Sequence, residues 1–245
     1  MVDFSGVITL SLNTTKFNES EITTIKASDK LTSIDARSTN GSGYSSNITF
    51  DLTACTSDLK ANFWHSYAKV AKFNTIDIDE SNTRFRESYL QSITGKLIIK
   101  HNGGYSFYNC TKLTTLGNVE FAEGITNGAR TFEYCHSLNS ISSLTIKTPL
   151  TNIERMFEWV AYTSSKLFAT ALSKSVSTVT NMHGCFQGSS ITDYSDFLAL
   201  EWTGVTSKES ILGACNSNVS ALNTTITQKH LTFPNVSTVD PLCIF

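Results

Sequence analysis

Phenylalanine recurs along this chain at a nearly fixed interval. Phe107, Phe132 and Phe157 stand 25 residues apart, Phe186 follows after 29, and Phe85 and Phe63 precede at steps of 22. Leu212 takes the place of the next Phe, 26 residues further on. Each Phe carries neighbours at constant offsets. Asn stands five residues before it, as Asn102, Asn127, Asn152 and Asn181. Three residues after it comes a small side chain: Ser66, Ser88, Cys110, Cys135, Val160, Ser189 and Cys215. Six and nine after it come aliphatics, Leu113 with Leu116 and Leu138 with Ile141. Lys30-Leu-Thr-Ser-Ile-Asp, with Leu31 and Ile34, reads like Lys112-Leu-Thr-Thr-Leu-Gly and is expected to repeat that pair. Short alternating stretches contain Ile76 and Ile78, Leu97 and Ile99, Val119 and Phe121, and Leu144 and Ile146.

A unit of 22–29 residues cannot bury its own apolar face, so a chain built this way must stack its units. The fold expected is a repeat solenoid, leucine-rich-repeat-like, of mostly short β-strands with loops and short helical turns. Phe, Leu, Ile and Cys fill its interior. The Asn at a constant offset is placed to form a ladder, its amide bonding the turn of the next coil. Residues 1–24 lie outside the register and form an N-terminal strand segment, a cap or attachment, with a strand over Val7–Leu12. The solenoid is expected over 25–245. At the far end Asp240 occupies the Asn slot and Phe245 the Phe slot, so the chain is expected to end inside a last coil.

Composition agrees with stacked strands and excludes several alternatives. Ser, Thr and Asn make 83 of 245 residues, while charged residues are 16%. Thr favours strands, and Ser and Asn favour turns. Hydrophobic residues at 40% suffice for a core, which excludes a disordered chain, and 3 prolines exclude a Pro-rich stalk. A net charge of −2 argues against binding a nucleic-acid backbone. No apolar run is long enough for a membrane-spanning helix, so no membrane insertion is expected. The N-terminus has no basic region before Lys16 and does not read as a secretory signal. Either a signal was removed, or the protein leaves its cell another way, as inside a virus particle.

Thr151-Asn-Ile-Glu-Arg-Met-Phe157, Thr180-Asn-Met-His-Gly-Cys-Phe186 and Phe107-Tyr-Asn-Cys-Thr-Lys-Leu-Thr-Thr-Leu116 resemble the BspA-like leucine-rich repeat. That family repeats Thr-Asn-Met-x-x-Met-Phe-x-x-Cys-x-x-Leu-x-x-Leu. The resemblance is good over 102–192 and fainter on both sides. It implies a right-handed solenoid and a surface-exposed binding role, as in bacterial adhesins, and no catalytic residues. Val160 in the Cys slot, the longer Phe186 unit, and a Leu212 unit without Phe or Asn depart from the pattern. Those coils are expected to be irregular or to carry an inserted loop.

Chemistry-bearing residues give weaker signals. Cys110, Cys135 and Cys215 share a slot with Val and Ser, which favours buried free thiols. A disulfide between Cys110 and Cys135 stays geometrically open, because adjacent coils lie about 4.8 Å apart. Zinc is not expected without a Cys-x-x-Cys pair, and no cofactor is expected. The five histidines have no metal-ligand spacing, and His183 reads as a turn residue. Asp77, Asp79 and Glu80 form the densest acidic cluster; they fit a solvated strand end, with a Ca²⁺ site or glycosidase pair as the sharper alternative. No nucleophile elbow or phosphate loop is present. The sequons at Asn13, Asn47, Asn109 and Asn235 follow from composition. Trp64, Tyr67, Tyr105, Tyr108, Tyr134, Trp159, Tyr162 and Trp202 fall off the Phe column. Of these, Tyr108, Tyr134, Trp159 and Tyr162 are the candidate ligand-binding residues, facing outward to stack on sugar rings or a protein. The alternative is that they merely cover loops.

These readings converge on a non-enzymatic binding or structural protein displayed on a surface. The favoured context is a phage virion, as a tail-fibre or capsid-decorating component at the virion surface. Its partners would be a host-surface glycan or protein and other virion proteins. Fibre proteins of this kind are commonly trimeric, so a homo-oligomer is expected. The alternatives are a secreted or cell-anchored bacterial adhesin, at the extracellular surface, and a polysaccharide-degrading tail spike.

Overall fold

The computed structural model describes residues 2–3, 9–11, 23–37, 47–79, 83–102, 104–207 and 211. The expectations for Glu80, Leu212, Cys215, Cys243, His230, Asn13, Asn235 and the Asp240–Phe245 end lie outside these residues. Alternating apolar and polar residues form ten strands among them: β1 (Val2–Asp3), β2 (Thr9–Ser11), β3 (Thr24–Lys26), β4 (Ser33–Asp35), β5 (Thr49–Leu52), β6 (Lys60–Asn62), β7 (Val70–Ile78), β8 (Ser92–Ile99), β9 (Thr115–Phe121) and β10 (Ser140–Ile146). They wind into a parallel β-solenoid of about 5 turns. One seven-stranded sheet runs β1-β3-β5-β7-β8-β9-β10, and a three-stranded sheet runs β2-β4-β6. Beyond β6 the second ladder continues as single bridges, Asn62 with Arg84 and then Asn127, Asn152, Asn181 and Ser207 in series.

The long sheet turns the sequence's aliphatic pairs into continuous rows. Ile76, Leu97, Val119 and Leu144 lie in register, as do Ile78, Ile99, Phe121 and Ile146. A third row runs Ile25, Phe50, Ala71, Ile93, Leu116 and Ile141. Every one of these side chains is buried. A register shift interrupts β7 and β8 between Lys72 and Thr75 and between Ile93 and Lys96. Glycine is required there. A Cβ on Gly95, whose φ is +104°, would meet the Phe73 carbonyl oxygen at 2.1 Å, and one on Gly117 would meet that of Gly95 at 2.1 Å.

Ile34 corrects one expectation. It lies in β4 and pairs with Leu10 and Ala61 in the second ladder, not in the Leu116 row. The match between Lys30–Asp35 and Lys112–Gly117 is therefore local, and the two segments sit on different faces. The boundary expected after residue 24 falls inside β3, which pairs with β1. β2 pairs with β4 and buries Leu10 between exposed Thr9 and Ser11. The N-terminal strands thus belong to the same two ladders as the later coils.

The Phe column is a stack of rings along the solenoid axis. Phe63, Phe85, Phe107, Phe132, Phe157 and Phe186 are all fully buried, with successive centroids 5.4–5.8 Å apart and planes within 17°. The small slot beside them is buried throughout, from Ser66 and Ser88 through Cys110, Cys135 and Val160 to Ser189. Cys110 donates its thiol to the Phe85 carbonyl at 2.9 Å and Cys135 to that of Phe107 at 3.0 Å, which is why a small, weakly polar side chain suits the slot. Cys55, Cys110, Cys135 and Cys185 are free thiols.

The long unit before Phe186 departs from the pattern for a visible reason. Where the next strand after β10 would lie, Lys166–Leu172 forms helix α1, rich in the helix formers Leu, Ala and Lys, and packs against β10. Its Phe168 stacks on Phe157 at 4.0 Å. A 3₁₀ turn at Ser173–Ser175 follows, and helix α2 (Ser195–Leu198) sets Phe197 edge-on to Phe186 at 4.8 Å. No helix among the described residues is long and apolar enough to cross a membrane.

Candidate functional site

The turn that carries each Phe has an unusual backbone. Non-glycine residues with positive φ stand two before Phe at Tyr105, Arg130 and Arg155, and two after it at His65, Glu87, Asn109, Tyr134 and Trp159. In the last described coil, glycines fill both places, as Gly184 and Gly188. The left-handed conformation costs a side-chain-bearing residue roughly 1–2 kcal/mol. Its return is an inter-coil hydrogen bond. The N–H of Glu87, Asn109, Tyr134 and Trp159 each donates to the next coil, reaching the carbonyls of Tyr108, Glu133, Glu158 and Gln187 at 2.7–3.0 Å. Arg130 and Arg155 do the same to Glu154 and His183, at 2.8 and 2.9 Å. The Asn at the constant offset closes the same turn. Asn127, Asn152 and Asn181 accept with Oδ1 from the N–H two residues on, at 3.0–3.1 Å. Between coils their ladder is mainly backbone, although Asn127 Nδ2 also donates to the Asn102 carbonyl at 2.8 Å.

These paired left-handed turns set side-chain direction along the edge. Tyr108, Tyr134 and Trp159 join into one row with Tyr105 and His136. Ring centroids are 5.2 Å apart for Tyr105–Tyr108, 5.9 Å for Tyr108–Tyr134, 5.9 Å for Tyr134–His136 and 5.8 Å for His136–Trp159. Trp159, 38% accessible, is the exposed large hydrophobic residue of the described part. Its indole lies over Gly188, where a Cβ would meet the ring at 2.5 Å. Tyr162 stands apart from the row, packing edge-on to Phe168 at 4.8 Å. Trp202 and Tyr67 are buried; Trp202 packs on Phe197, and Tyr67 stacks on Tyr89 at 4.5 Å.

Beneath the row lies an ionic layer that sequence reasoning missed. Glu133 and Glu158, each next after a Phe, are only 1% and 2% accessible. Arg130 holds Glu133 at 3.2 Å and Glu154 at 2.9 Å, and Arg155 reaches Glu133 at 3.6 Å and Glu158 at 3.5 Å. Burial, opposed by Arg155 and reinforced by Glu133, pushes the Glu158 carboxyl up to about 7. Each arginine thus ties an acid of its own coil to one of an adjacent coil, beside the turns that carry Tyr134 and Trp159. The signal was in the sequence: Arg two before Phe and Glu one after it occur together in consecutive units.

At the other end of the row the edge opens into a cleft of about 290 Å³, walled by Trp64, Arg84, Arg86, His101 and Tyr105. Trp64 donates Nε1 to Glu87 at 3.0 Å. Burial would raise the Glu87 carboxyl, but hydrogen bonds from Trp64 and Arg86 hold it below the ordinary range. Asp77 lies on β7, where Lys100 engages it at 2.5 Å, and Asp79 follows β7, its carbonyl accepting from the N–H of Thr83 at 2.8 Å. His183 sits in a turn, its N–H bonded to Asn181. Among the described residues no group of three or more His, Cys, Asp or Glu could hold a metal ion. No family model, no curated protein and no solved structure matches this chain.

Proposed function

We propose that this solenoid is a non-enzymatic recognition module displayed on a surface, and that its turn edge is the face that binds. The observation that carries the reading is the row from Tyr105 to Trp159, which ends in an exposed indole held by a strained backbone. Rigid aromatic rings offer large contact area at low entropic cost, and backbone strain concentrates where geometry serves binding. A repeated edge of this kind suits an extended partner, a glycan chain or a protein surface. Composition supports a virion context, a tail-fibre or decoration protein touching a host cell, because it is poor in charge and proline and rich in Ser, Thr and Asn. The shared register of Asn, Phe, small residue and paired aliphatics supports grouping its coils with the BspA-like repeats.

The test is attachment of the purified protein to host cells or their envelope polysaccharide. Trp159→Ala and Tyr134→Ala should each weaken attachment while leaving the circular-dichroism melting curve in place. Undiminished attachment by both variants would remove the turn edge from consideration.

A further inference from the structure

We propose that the cleft at the head of the aromatic row binds a single sugar unit bearing a carboxylate, such as a uronic acid; this rests on the turn edge being the recognition surface. Size comes first. A cleft of about 290 Å³ lies at the small end of ligand sites and accommodates about one pyranose ring with its substituents.

Its chemistry is lopsided. Two arginines and a histidine line it, and none of the lining residues among those described is acidic, the nearby Glu87 carboxylate being engaged by Trp64 and Arg86. The walls come from three successive coils: Trp64 follows Phe63, Arg84 and Arg86 flank Phe85, and Tyr105 precedes Phe107. A ligand there is gripped between aromatic faces while the Arg86 guanidinium reaches its acid. Sugar rings stack their C–H faces on aromatic rings, and Arg matches a carboxylate with two parallel donors.

Both aromatic walls are fixed before any ligand arrives. Trp64 is tied to Glu87 by its indole N–H at 3.0 Å and packs against His65 at 4.7 Å. Tyr105 is packed by Tyr108, and the Arg130 guanidinium lies 5.7 Å from its ring centroid. Ser106 and His101 are joined at 3.0 Å, which fixes the imidazole at the cleft wall. Arg86 keeps its side chain 47% accessible while touching Glu87 at 3.2 Å, so its guanidinium reaches solvent with donors to spare. A pre-arranged site of this kind loses little entropy on binding. A nucleic-acid phosphate is the poorer fit, since the cationic cleft holds one ring and the chain carries a net charge of −2.

Calorimetric titration of the full chain with glucuronic acid and N-acetylneuraminic acid, against glucose and N-acetylglucosamine, tests this. Glucose 6-sulfate separates a carboxylate site from a general anion site. The acids should bind, and the neutral sugars and the sulfate should bind at least roughly tenfold more weakly. Arg86→Gln, an exposed substitution, should cut acid binding by roughly tenfold, and Trp64→Phe should weaken it less. Lys147→Ala, outside the cleft lining, should leave acid binding unchanged. Equal binding of acidic and neutral sugars, equal binding of the sulfate, an unaffected Arg86→Gln variant, or no binding of either acid would overturn the assignment. If no acid binds yet attachment to cells still depends on Trp159, the cleft assignment falls and the turn-edge reading stands. If the acids bind yet attachment is indifferent to Trp159 and Tyr134, the cleft stands and the turn-edge reading falls.

Discussion

The sheet face over β7–β10 and the turn edge beside the Phe column are built from the same repeats, yet they are made differently. On the sheet, outward positions hold mostly polar residues, Lys96, Asn118, Glu120, Ser143, Thr145 and Lys147, with Ile98 among them. The ion pairs there, Lys96–Glu120 at 3.3 Å and Lys147–Glu120 at 3.6 Å, are exposed and of the kind that contributes little. The turn edge instead holds eight non-glycine residues at positive φ, two buried glutamates and a chain of aromatic contacts. Stacking alone demands only backbone pairing and a filled interior. The left-handed turns are repaid by hydrogen bonds between coils, whereas the outward aromatic row with exposed Trp159 is not needed for stacking, and that surplus is what the proposed recognition role rests on.

Both regions rest on the Phe column, so breaking it should have the largest effect. Phe132→Ala should remove about 3–5 kcal/mol in urea unfolding, since the ring is fully buried between Phe107 and Phe157. A loss below about 1 kcal/mol would mean that the column is not the shared support of the two regions.

The buried carboxylates separate the regions through pH. Glu158 ionises at about 7 in the folded chain against an ordinary 4.5, so the folded state holds its proton more tightly than the unfolded one. Its contribution is therefore full below about 4.5 and is lost as pH rises through about 7. Glu158 faces Glu133, Arg155 and, more distantly, Arg130, and only the first of these is also anionic. Glu158→Gln should gain on the parent as pH rises from 5 to 8, by on the order of 2 kcal/mol. A parent that gains on Glu158→Gln with rising pH would contradict the account. The comparison is read from urea unfolding at each pH.

Glycine substitution gives the smallest and most local contrast. Asn109 has φ of 55°, so Asn109→Gly should stabilise by a few tenths of a kcal/mol. Thr145→Gly on β10 should destabilise by about 1 kcal/mol. Equal signs for the two in thermal unfolding would show that the turn edge is not strained.

How far the sequence foretold this structure depends on whether a feature repeats. The Phe column, the small slot and the rows through Ile76 and Ile78 were legible because burial imposes the same residue type in every coil. Ile34 misled because a six-residue likeness carries no information about which face a strand joins. Glu133 and Glu158 were not read as buried, because a residue next to an inward Phe points outward in strand geometry; the flanking left-handed turns change that direction. The 29-residue step before Phe186 announced extra chain but not that α1 would replace a strand. The cleft was invisible, since Arg84, Arg86 and Tyr105 occupy no repeated slot in common and meet only through stacking.

The most direct test sets one face against the other in a single binding experiment. One variant carries Tyr108→Ala, Tyr134→Ala and Trp159→Ala, and the other carries Lys96→Ala, Glu120→Ala and Lys147→Ala. Surface plasmon resonance on immobilised host envelope polysaccharide, with melting temperatures checked in parallel, compares both with the parent chain. The turn-edge variant should lose binding by at least roughly tenfold while the sheet-face variant binds like the parent. Retained binding by the folded turn-edge variant, or loss confined to the sheet-face variant, would contradict the assignment of recognition to the turn edge.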